Sequence, residues 1–331
     1  MECINLGSTG LKSSRIGLGT WAIGGWMWGG TDEIQAIATI RTALDLGINL
    51  IDTAPVYGFG ASESIVGKAL DRDSLRSKAI IATKAGLEWS SGRPRRDSRP
   101  ERLRQELEDS LRRLRTDYID LYQIHWPDPL VPIERVAAEV SRMRREGKIL
   151  AIGVSNFSPI QMEAFRAIAP LDTVQPPYNL FERGIDADVL PYAGGTGLTV
   201  LAYGALCRGL LSGRITMETQ FEGDDLRRSD PKFADARLRA RYIRAVQSLD
   251  ELARARFGRD VLSLAVRWVL DRGPTVALWG ARRPDQLDAM SGALGWTLDE
   301  AAMRDIDAIL GREMAAPLGP DFMAPPQRAA A

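Results

Sequence analysis

The sequence has little of what metal, disulfide or nucleic-acid sites require. It contains 2 cysteines, Cys3 and Cys207, and 1 histidine, His125, in 331 residues. Two distant cysteines exclude a disulfide framework and a zinc cluster, and one histidine excludes a metal site built from several histidines. The 43 basic and 43 acidic side chains cancel, so the charge balance gives no support to a nucleic acid as partner.

Two further absences concern location. The first residues, MECINLGSTG, contain neither the basic nor the apolar segment of a secretory signal. No apolar run approaches the ~18 residues that suggest a membrane span. The 45% apolar residues allow a large core. We therefore expect a soluble, cytoplasmic protein without membrane contact, either a monomer or a homo-oligomer.

Short apolar runs alternate with longer amphipathic stretches along the whole chain. Near-continuous apolar runs are typical of parallel strands that are buried on both faces. Eight runs are predicted as strands, at 15–18, 48–53, 79–83, 118–124, 149–154, 173–175, 198–202 and 275–278. Helices are predicted at 32–46, 62–70, 98–115, 133–146, 159–169, 187–192, 240–257, 260–271, 284–294 and 299–310.

Eight strand–helix units without a linker predict one α/β domain over 1–331, a (β/α)8 TIM barrel with an extended Pro- and Ala-rich tail at 315–331. A doubly wound sheet is the alternative, but it requires a G-x-G-x-x-G after the first strand, and none is present. In the third predicted helix, Ser98 and Glu101 fit a capping box.

Ionisable residues end three consecutive predicted strands. The second strand ends at Asp52, the third at Lys84 and the fourth at His125, while Tyr57 follows in the loop TAPVYG. Each has a plain structural interpretation: an ion pair of Lys84 with Asp52, a hydrogen-bonded core histidine, and a tyrosine that packs in a loop. Because a barrel places its active site at the C-terminal ends of the strands, their convergence favours a catalytic site.

These four side chains suit proton transfer to a carbonyl oxygen. A tyrosine has a pKa near ~10, and we expect the Lys84 ammonium, held by Asp52, to lower the pKa of Tyr57. His125 can donate a hydrogen bond that polarises the carbonyl. This chemistry supplies a proton and no electrons, so a reduction needs a hydride donor. Lys84 could instead form an imine with substrate, as in a Schiff-base lyase.

The segments GLGTW (17–21), NLIDTAPVYGFGASESIVGKAL (49–70), IATK (81–84), DLYQIHWPD (120–128) and GKILAIGVSNFS (147–158) resemble the aldo-keto reductases. The resemblance covers essentially the whole chain. The segments AYGALCRGLLSG (202–213), GARRPDQL (280–287) and GPDFMAPP (319–326) resemble a bacterial branch of general-stress reductases and NADP-dependent glycerol dehydrogenases.

The resemblance implies NADP(H) as cofactor and the reversible reduction of aldehydes or ketones to alcohols. Tyr57 would be the general acid, Lys84 and Asp52 would modulate it, and His125 would orient the carbonyl. Contacts with the cofactor are expected from Thr20, Trp21, Asp52, Ser155, Asn156, Gln175, Tyr203, Gly204, Leu206, Arg208, Gly209, Arg214, Gly280, Arg282 and Gln286.

Two positions depart from the family pattern. Many members carry Glu-Asn after the residue that matches Gln286, where this chain has Ala289 and Met290. Arg282 and Arg283 still favour the 2′-phosphate, since a guanidinium suits it, although both also fit a solvated basic pair. NADP(H) is therefore expected, with NAD(H) as the alternative. A cofactor-binding regulatory subunit with little turnover is a further alternative.

Four tryptophans fall in loops that the barrel places at its mouth. Trp26, Trp28, Trp89 and Trp126 would form, with Tyr57 and His125, an aromatic wall of the substrate pocket. Such a wall suits aryl aldehydes, whereas the bacterial branch suggests glyceraldehyde or glycerol. Cys207 lies in the expected cofactor loop, so we also expect oxidation to affect activity.

Overall fold

The computed structural model describes residues 1–72, 74–90, 92–314, 318–319 and 323–328. The strands are β1 (Cys3–Asn5), β2 (Lys12–Ser14), β3 (Ile16–Gly19), β4 (Leu50–Asp52), β5 (Ile80–Ala85), β6 (Leu87–Ser90), β7 (Arg93–Arg96), β8 (Ile119–Ile124), β9 (Ile149–Ser155), β10 (Thr173–Gln175), β11 (Thr199–Ala202) and β12 (Thr275–Gly280). The helices are α1 (Glu33–Asp45), α2 (Ala61–Leu70), α3 (Pro100–Leu114), α4 (Ile133–Arg145), α5 (Pro159–Arg166), α6 (Val189–Thr196), α7 (Pro231–Ala234), α8 (Ala236–Phe257), α9 (Val261–Leu270) and α10 (Glu300–Glu313).

Eight of these strands close into a parallel barrel, in the order β3-β4-β5-β8-β9-β10-β11-β12, with β12 paired to β3. Each overlaps one of the eight apolar runs that the sequence marks as strands, so the predicted TIM barrel is confirmed. The register places Asp52 beside Gly19 and Gln175 beside Ser155. Polar strand ends therefore lie side by side at one rim.

The apolar residues form two layers. Inside the barrel, fully buried residues from neighbouring strands pack together, among them Leu50, Leu121, Leu201 and Val276. A larger layer lies between the strands and the surrounding helices. This arrangement explains why the barrel strands are apolar on both faces, which is the pattern that identified them.

The hairpin β1–β2 closes the end of the barrel at which the strands begin, and the sequence did not predict it. Leu6 is fully buried against the residues inside the barrel. The Gly7 N–H donates to Thr199 Oγ1 over 2.9 Å, at the start of β11. Gly7 has φ +52°, and a Cβ there would lie 2.7 Å from the carbonyl oxygen of Asp172. Glycine is therefore required at this close approach.

The hairpin β6–β7 rises from the opposite rim and holds residues 323–328 beside it. The Arg96 N–H donates to the Pro326 carbonyl over 3.0 Å, and Arg96 Nε donates to the Pro325 carbonyl over 2.8 Å. Arg328 forms ion pairs with Asp97 and Asp128. This described part of the predicted tail pairs with β7, whereas 315–317, 320–322 and 329–331 lie outside the described residues.

Three helix predictions need correction. The capping box at Ser98 is wrong: α3 begins at Pro100, and its N-cap, Arg99, makes no side-chain capping bond. The Ser98 N–H instead donates to Asp128 Oδ2 over 3.0 Å. The helix predicted at 187–192 lies at Val189–Thr196, and the one predicted at 284–294 is a 3₁₀ helix, Pro284–Ala293.

Candidate active site

The four ionisable residues predicted at the rim meet in the structure. Lys84 Nζ, on β5, donates to both carboxylate oxygens of Asp52 over 2.8 Å and to the Thr53 carbonyl over 3.0 Å. It lies 3.3 Å from the Tyr57 hydroxyl. The rings of Tyr57 and His125 meet edge to face, with their centroids 5.9 Å apart. Adjacent parallel strands thus bring the four groups to one point.

A compact hydrogen-bonded loop fixes the end of β4. Thr20 Oγ1 donates to the Asp52 carbonyl over 2.8 Å and lies 2.7 Å from Ser62 Oγ. Gly58 has φ +66°, and a Cβ there would lie 2.1 Å from the carbonyl oxygen of Gly24. Only glycine permits this approach of the two loops. Thr20 is fully buried in this network and does not line the cleft described below.

Burial shifts the pKa values of Lys84, Tyr57 and His125. It lowers the pKa of Lys84, and the charge of Asp52 opposes this shift. Burial, with the Asp52 charge, raises the pKa of Tyr57 well above its usual value. Burial, with the Lys84 charge, lowers the pKa of His125 well below 6.5. The expectation that Lys84 lowers the pKa of Tyr57 is therefore wrong for the protein's own residues, because burial disfavours the phenolate and the charge of Asp52 adds to that effect.

A cleft of about 470 Å³ runs from these residues across the mouth of the barrel to the loops that follow β11 and β12. At the end near Tyr57 its walls are apolar and aromatic. At the other end it is bordered by a glycine-rich loop and by arginines. Its lining includes Trp21, Trp26, Trp28, Tyr57, His125, Trp126, Ser155, Asn156, Gln175, Tyr203, Gly204, Leu206, Arg208, Gly209, Gly280, Arg282 and Gln286.

Amide and hydroxyl groups lie side by side in the middle of the cleft. Asn156 follows β9 with φ +62°, a conformation that costs energy for a residue other than glycine. Its Nδ2 donates to the His125 carbonyl over 3.1 Å, and its Oδ1 accepts from the Tyr203 hydroxyl over 3.0 Å. Ser155 Oγ donates to the Gln175 carbonyl over 2.8 Å. The strained backbone thus holds an amide at a fixed position in the cleft.

The loop after β11 is shaped by consecutive left-handed residues. Cys207, Arg208 and Gly209 have φ of 46°, 54° and 96°. The Arg208 guanidinium is buried and donates to Glu182 over 2.7 Å and to Asp230 over 2.8 Å. These ion pairs hold the loop in its strained form. Cys207 is fully buried, and burial raises its pKa to about 12, which argues against the expected sensitivity to oxidation.

The loop after β12 places Arg282 and Gln286 at the far end of the cleft. The Arg282 N–H donates to Gln286 Oε1 over 2.7 Å, and Arg282 Nη1 donates to the Trp28 carbonyl over 2.7 Å. Arg283 is exposed and paired with Asp285. Arg214, another predicted ligand, is exposed and does not line the cleft.

These residues fit a nicotinamide dinucleotide. The amide and hydroxyl groups suit a carboxamide, the Tyr203 ring suits a flat aromatic group, and the glycine-rich loop and arginines suit phosphates. Among the described residues, Trp28 Nε1 is buried in this lining and has no hydrogen-bond partner. A buried donor of this kind requires an acceptor.

The sequence profile of the aldo/keto reductase family matches residues 15–311, which span the whole barrel. The chain belongs to this family. Its members are oxidoreductases that use nicotinamide cofactors.

Named relatives lie close to this aldo-keto reductase. The chain is 57% identical over 329 residues to the aldo-keto reductase YhdN of Bacillus subtilis, with 99% of each chain covered. It is 35% identical over 331 residues to the NADH-specific methylglyoxal reductase of Escherichia coli, with 95% of this chain and 98% of that protein covered. The structure of the glycerol dehydrogenase AKR11B4 from Gluconobacter oxydans matches with a TM-score of 0.88 and 52% identity, covering 97% and 99% of the two chains.

The aromatic wall of this aldo-keto reductase differs from the expected one at one position. Trp26, Trp28 and Trp126 line the cleft, as the sequence suggested. Trp89 does not line it; its ring packs on Phe59, with the centroids 5.7 Å apart. Trp21, expected only as a cofactor contact, stacks on Tyr57 with the centroids 6.0 Å apart.

The roles of three residues of the reductase could not be interpreted from the sequence alone. Arg227 lines the cleft, but nothing in its polar surroundings in the sequence distinguishes it from Arg228. Met290, where many family members have a polar residue, is buried in the core, and Ala289 packs against the same core.

No helix of the described residues is long and apolar enough to cross a membrane.

Proposed function

We propose that this protein is an NADP(H)-dependent oxidoreductase that reversibly reduces aldehydes and ketones to alcohols. The observation that carries the proposal is the contact of Lys84 Nζ with the Tyr57 hydroxyl, over 3.3 Å, beside His125 in a cleft that suits a dinucleotide. The cofactor, when bound, supplies the hydride. The protein's own residues then have to supply the proton and the orientation.

Tyr57 is the proposed general acid. Its raised pKa keeps the phenol protonated at neutral pH, so the proton is available for the carbonyl oxygen. As that proton leaves, the Lys84 ammonium, 3.3 Å away, stabilises the phenolate that forms. The lowered pKa of His125 keeps the imidazole neutral, so its N–H can donate a hydrogen bond to the same oxygen without transferring its proton.

The cofactor would lie along the cleft from Tyr57 to Arg282. Ser155, Asn156 and Gln175 are proposed to hold the carboxamide, with the Tyr203 ring on the nicotinamide. Backbone N–H groups of the loop that contains Leu206 and Gly209 suit the pyrophosphate. Asp52, Trp21, Gly204, Gly280 and Gln286 border the same path.

Arg282 supports NADP(H) over NAD(H), since a guanidinium binds a 2′-phosphate well. NAD(H) is the alternative, because a relative is named as NADH-specific and because Met290 is used for core packing. For the substrate, the apolar walls near Tyr57 support aryl aldehydes. The structural relative AKR11B4 is named a glycerol dehydrogenase, which supports glycerol as the alcohol, with glyceraldehyde as the corresponding aldehyde.

The alternative of a Schiff-base lyase gains no support from the position of Lys84. Its side chain is fully buried, and Nζ already binds Asp52, the Thr53 carbonyl and the Tyr57 hydroxyl. A side chain that is buried and engaged by these three partners has no free path to a carbonyl carbon, which imine formation requires.

The test is NADPH and NADH oxidation with 4-nitrobenzaldehyde and glyceraldehyde. We expect Tyr57→Phe to lower kcat by about 10²- to 10⁴-fold while binding of NADPH is retained. Tyr192→Phe is the matched control, because the Tyr192 hydroxyl contacts Glu163 and Arg166 on the outside of the barrel. A fully active Tyr57→Phe protein contradicts the mechanism. Cofactor binding without turnover on either aldehyde favours the regulatory subunit instead.

A further inference from the structure

Arg227 lies where loops from different parts of the barrel mouth meet. Its Nη1 donates to the Arg208 carbonyl over 3.4 Å, in the loop after β11. Its guanidinium lies 5.1 Å from the ring centroid of Trp28, in the loop after β3, and 4.2 Å from that of Phe221. A Cβ added to Gly209 would lie 3.7 Å from Arg227 Nη1. The guanidinium therefore stands directly beside the backbone of the glycine-rich loop.

Asp225 determines which edge of this guanidinium faces the loop. It accepts hydrogen bonds from Arg227 Nε over 2.9 Å and from Nη2 over 2.6 Å. Of the three nitrogens of the guanidinium, Nη1 is the one that reaches the glycine-rich loop. The rings of Trp28 and Phe221 restrict the side chain further. A cation held in advance loses little conformational entropy when it binds an anion.

Arg282 supplies a second cation in the same cleft. Burial lowers the pKa of Arg282, and the charge of Arg227 lowers it further. Two cations that repel each other are jointly stabilised by an anion between them. Trp28 lines the same cleft, and its buried Nε1 has no hydrogen-bond partner among the described residues, so a further N–H donor is available.

We propose that Arg227 binds a phosphate group of the dinucleotide together with Arg282 and Trp28, an inference that rests on the proposed function. NADPH offers this chemistry at two places, the pyrophosphate and the 2′-phosphate. NADH carries only the first of them. A comparison of the two cofactors therefore identifies which phosphate Arg227 binds.

The experiment measures dissociation constants for NADPH and NADH by quenching of tryptophan fluorescence. We expect Arg227→Gln to weaken NADPH binding by about 10- to 100-fold, the range for a lost hydrogen bond to a charged group. Arg227→Lys, which keeps the positive charge but not the planar guanidinium, should weaken NADPH binding less. Arg228→Gln is the matched control, since the neighbouring Arg228 is exposed and donates to the Gly223 carbonyl.

A second variant tests whether Arg227 binds the cofactor itself or only supports the loop through its ion pair with Asp225. Asp225→Asn keeps the cap of the turn Leu226–Arg228, because asparagine caps as well as aspartate does. If Arg227 binds phosphate, Asp225→Asn weakens NADPH binding less than Arg227→Gln does, because the cation remains and the asparagine oxygen can still accept one of its hydrogen bonds. If the pair only supports the loop, Asp225→Asn and Arg227→Gln weaken binding equally, which would overturn the proposal.

The remaining outcomes are distinct. A loss shared by NADPH and NADH supports a contact with the pyrophosphate, and a loss confined to NADPH supports a contact with the 2′-phosphate. If Arg227→Gln has dissociation constants within about twofold of those of the wild-type protein, and the same melting temperature, the proposed role of Arg227 is overturned. The proposed function is not affected by that result. Failure of the unchanged protein to bind either cofactor overturns the proposed function and this role with it.

Discussion

The ion pair between Asp52 and Lys84 allows stability and catalysis to be separated by experiment. Lys84 is fully buried, and Nζ lies 2.8 Å from both carboxylate oxygens. In Asp52→Asn, the ammonium keeps the Thr53 carbonyl and the Tyr57 hydroxyl but loses its counter-charge. Breaking a buried pair in this way costs about 3–5 kcal/mol of unfolding free energy. Because an unpaired buried lysine releases its proton more readily, this variant should regain stability as the pH rises toward 10.5.

Removing both charges should restore the fold but not the chemistry. A buried pair replaced by uncharged groups of similar volume is often neutral in stability, so we expect Asp52→Asn/Lys84→Met within about 2 kcal/mol of the unchanged protein. Carbonyl reduction should stay lost in the single variant and in the double variant, because neither retains the paired ammonium beside Tyr57.

The assay is urea unfolding followed by circular dichroism, together with aldehyde-dependent oxidation of NADPH. The control is Glu33→Gln, which breaks the pair of Glu33 with Lys68, also 2.8 Å long but 50% and 40% exposed. An exposed pair is worth about 0–1 kcal/mol. The reasoning fails if Asp52→Asn costs no more than this control, or if the double variant is less stable than Asp52→Asn.

Two further predictions concern the rarest residue types of the chain. The pKa of His125 is held well below 6.5, so its imidazole NMR signals should not titrate between about pH 5.5 and 8. Since the unfolded chain binds that proton near pH ~6.5, the unfolding free energy should fall below this pH in the unchanged protein and not in His125→Asn. A midpoint near 6.5 in the folded protein would contradict the assignment. Cys207 is buried, and burial raises its pKa to about 12. Iodoacetamide at neutral pH should therefore modify the exposed Cys3 and leave activity intact. Activity lost in step with modification of Cys207 would contradict this prediction.

The barrel and its four central residues could be predicted because their signals are local. A strand buried on both faces is apolar throughout, and an ionisable residue at its end, such as Asp52, Lys84 or His125, stands out against that background. The hairpin β6–β7 was missed because β7 consists of three arginines and a proline, and Leu87 is the one buried residue of the two strands. Its pairing depends on the turn and on the chain that packs beside it, rather than on a pattern of burial.

The errors at the site have a different cause, since they depend on partners that are distant in the sequence. Arg208, expected to contact the cofactor, lines the cleft, but no motif indicates that Glu182 and Asp230 also bind its guanidinium. The direction of the Tyr57 pKa shift depends first on burial, which the fold creates, and then on the charge of Asp52. A motif identifies the residues present but not the balance of charges around them.

The hairpin that closes the lower end of the barrel has a consequence for engineering. Ile4, Leu6 and Leu11 pack against the residues inside the barrel at that end, whereas the cleft is lined by loops at the mouth. We therefore expect substitutions in the hairpin to change heat tolerance and substitutions at the mouth to change substrate range. Directed evolution can alter the hairpin for durability in one library and the mouth for new carbonyl compounds in another, and the gains can be combined, because effects at well-separated sites add.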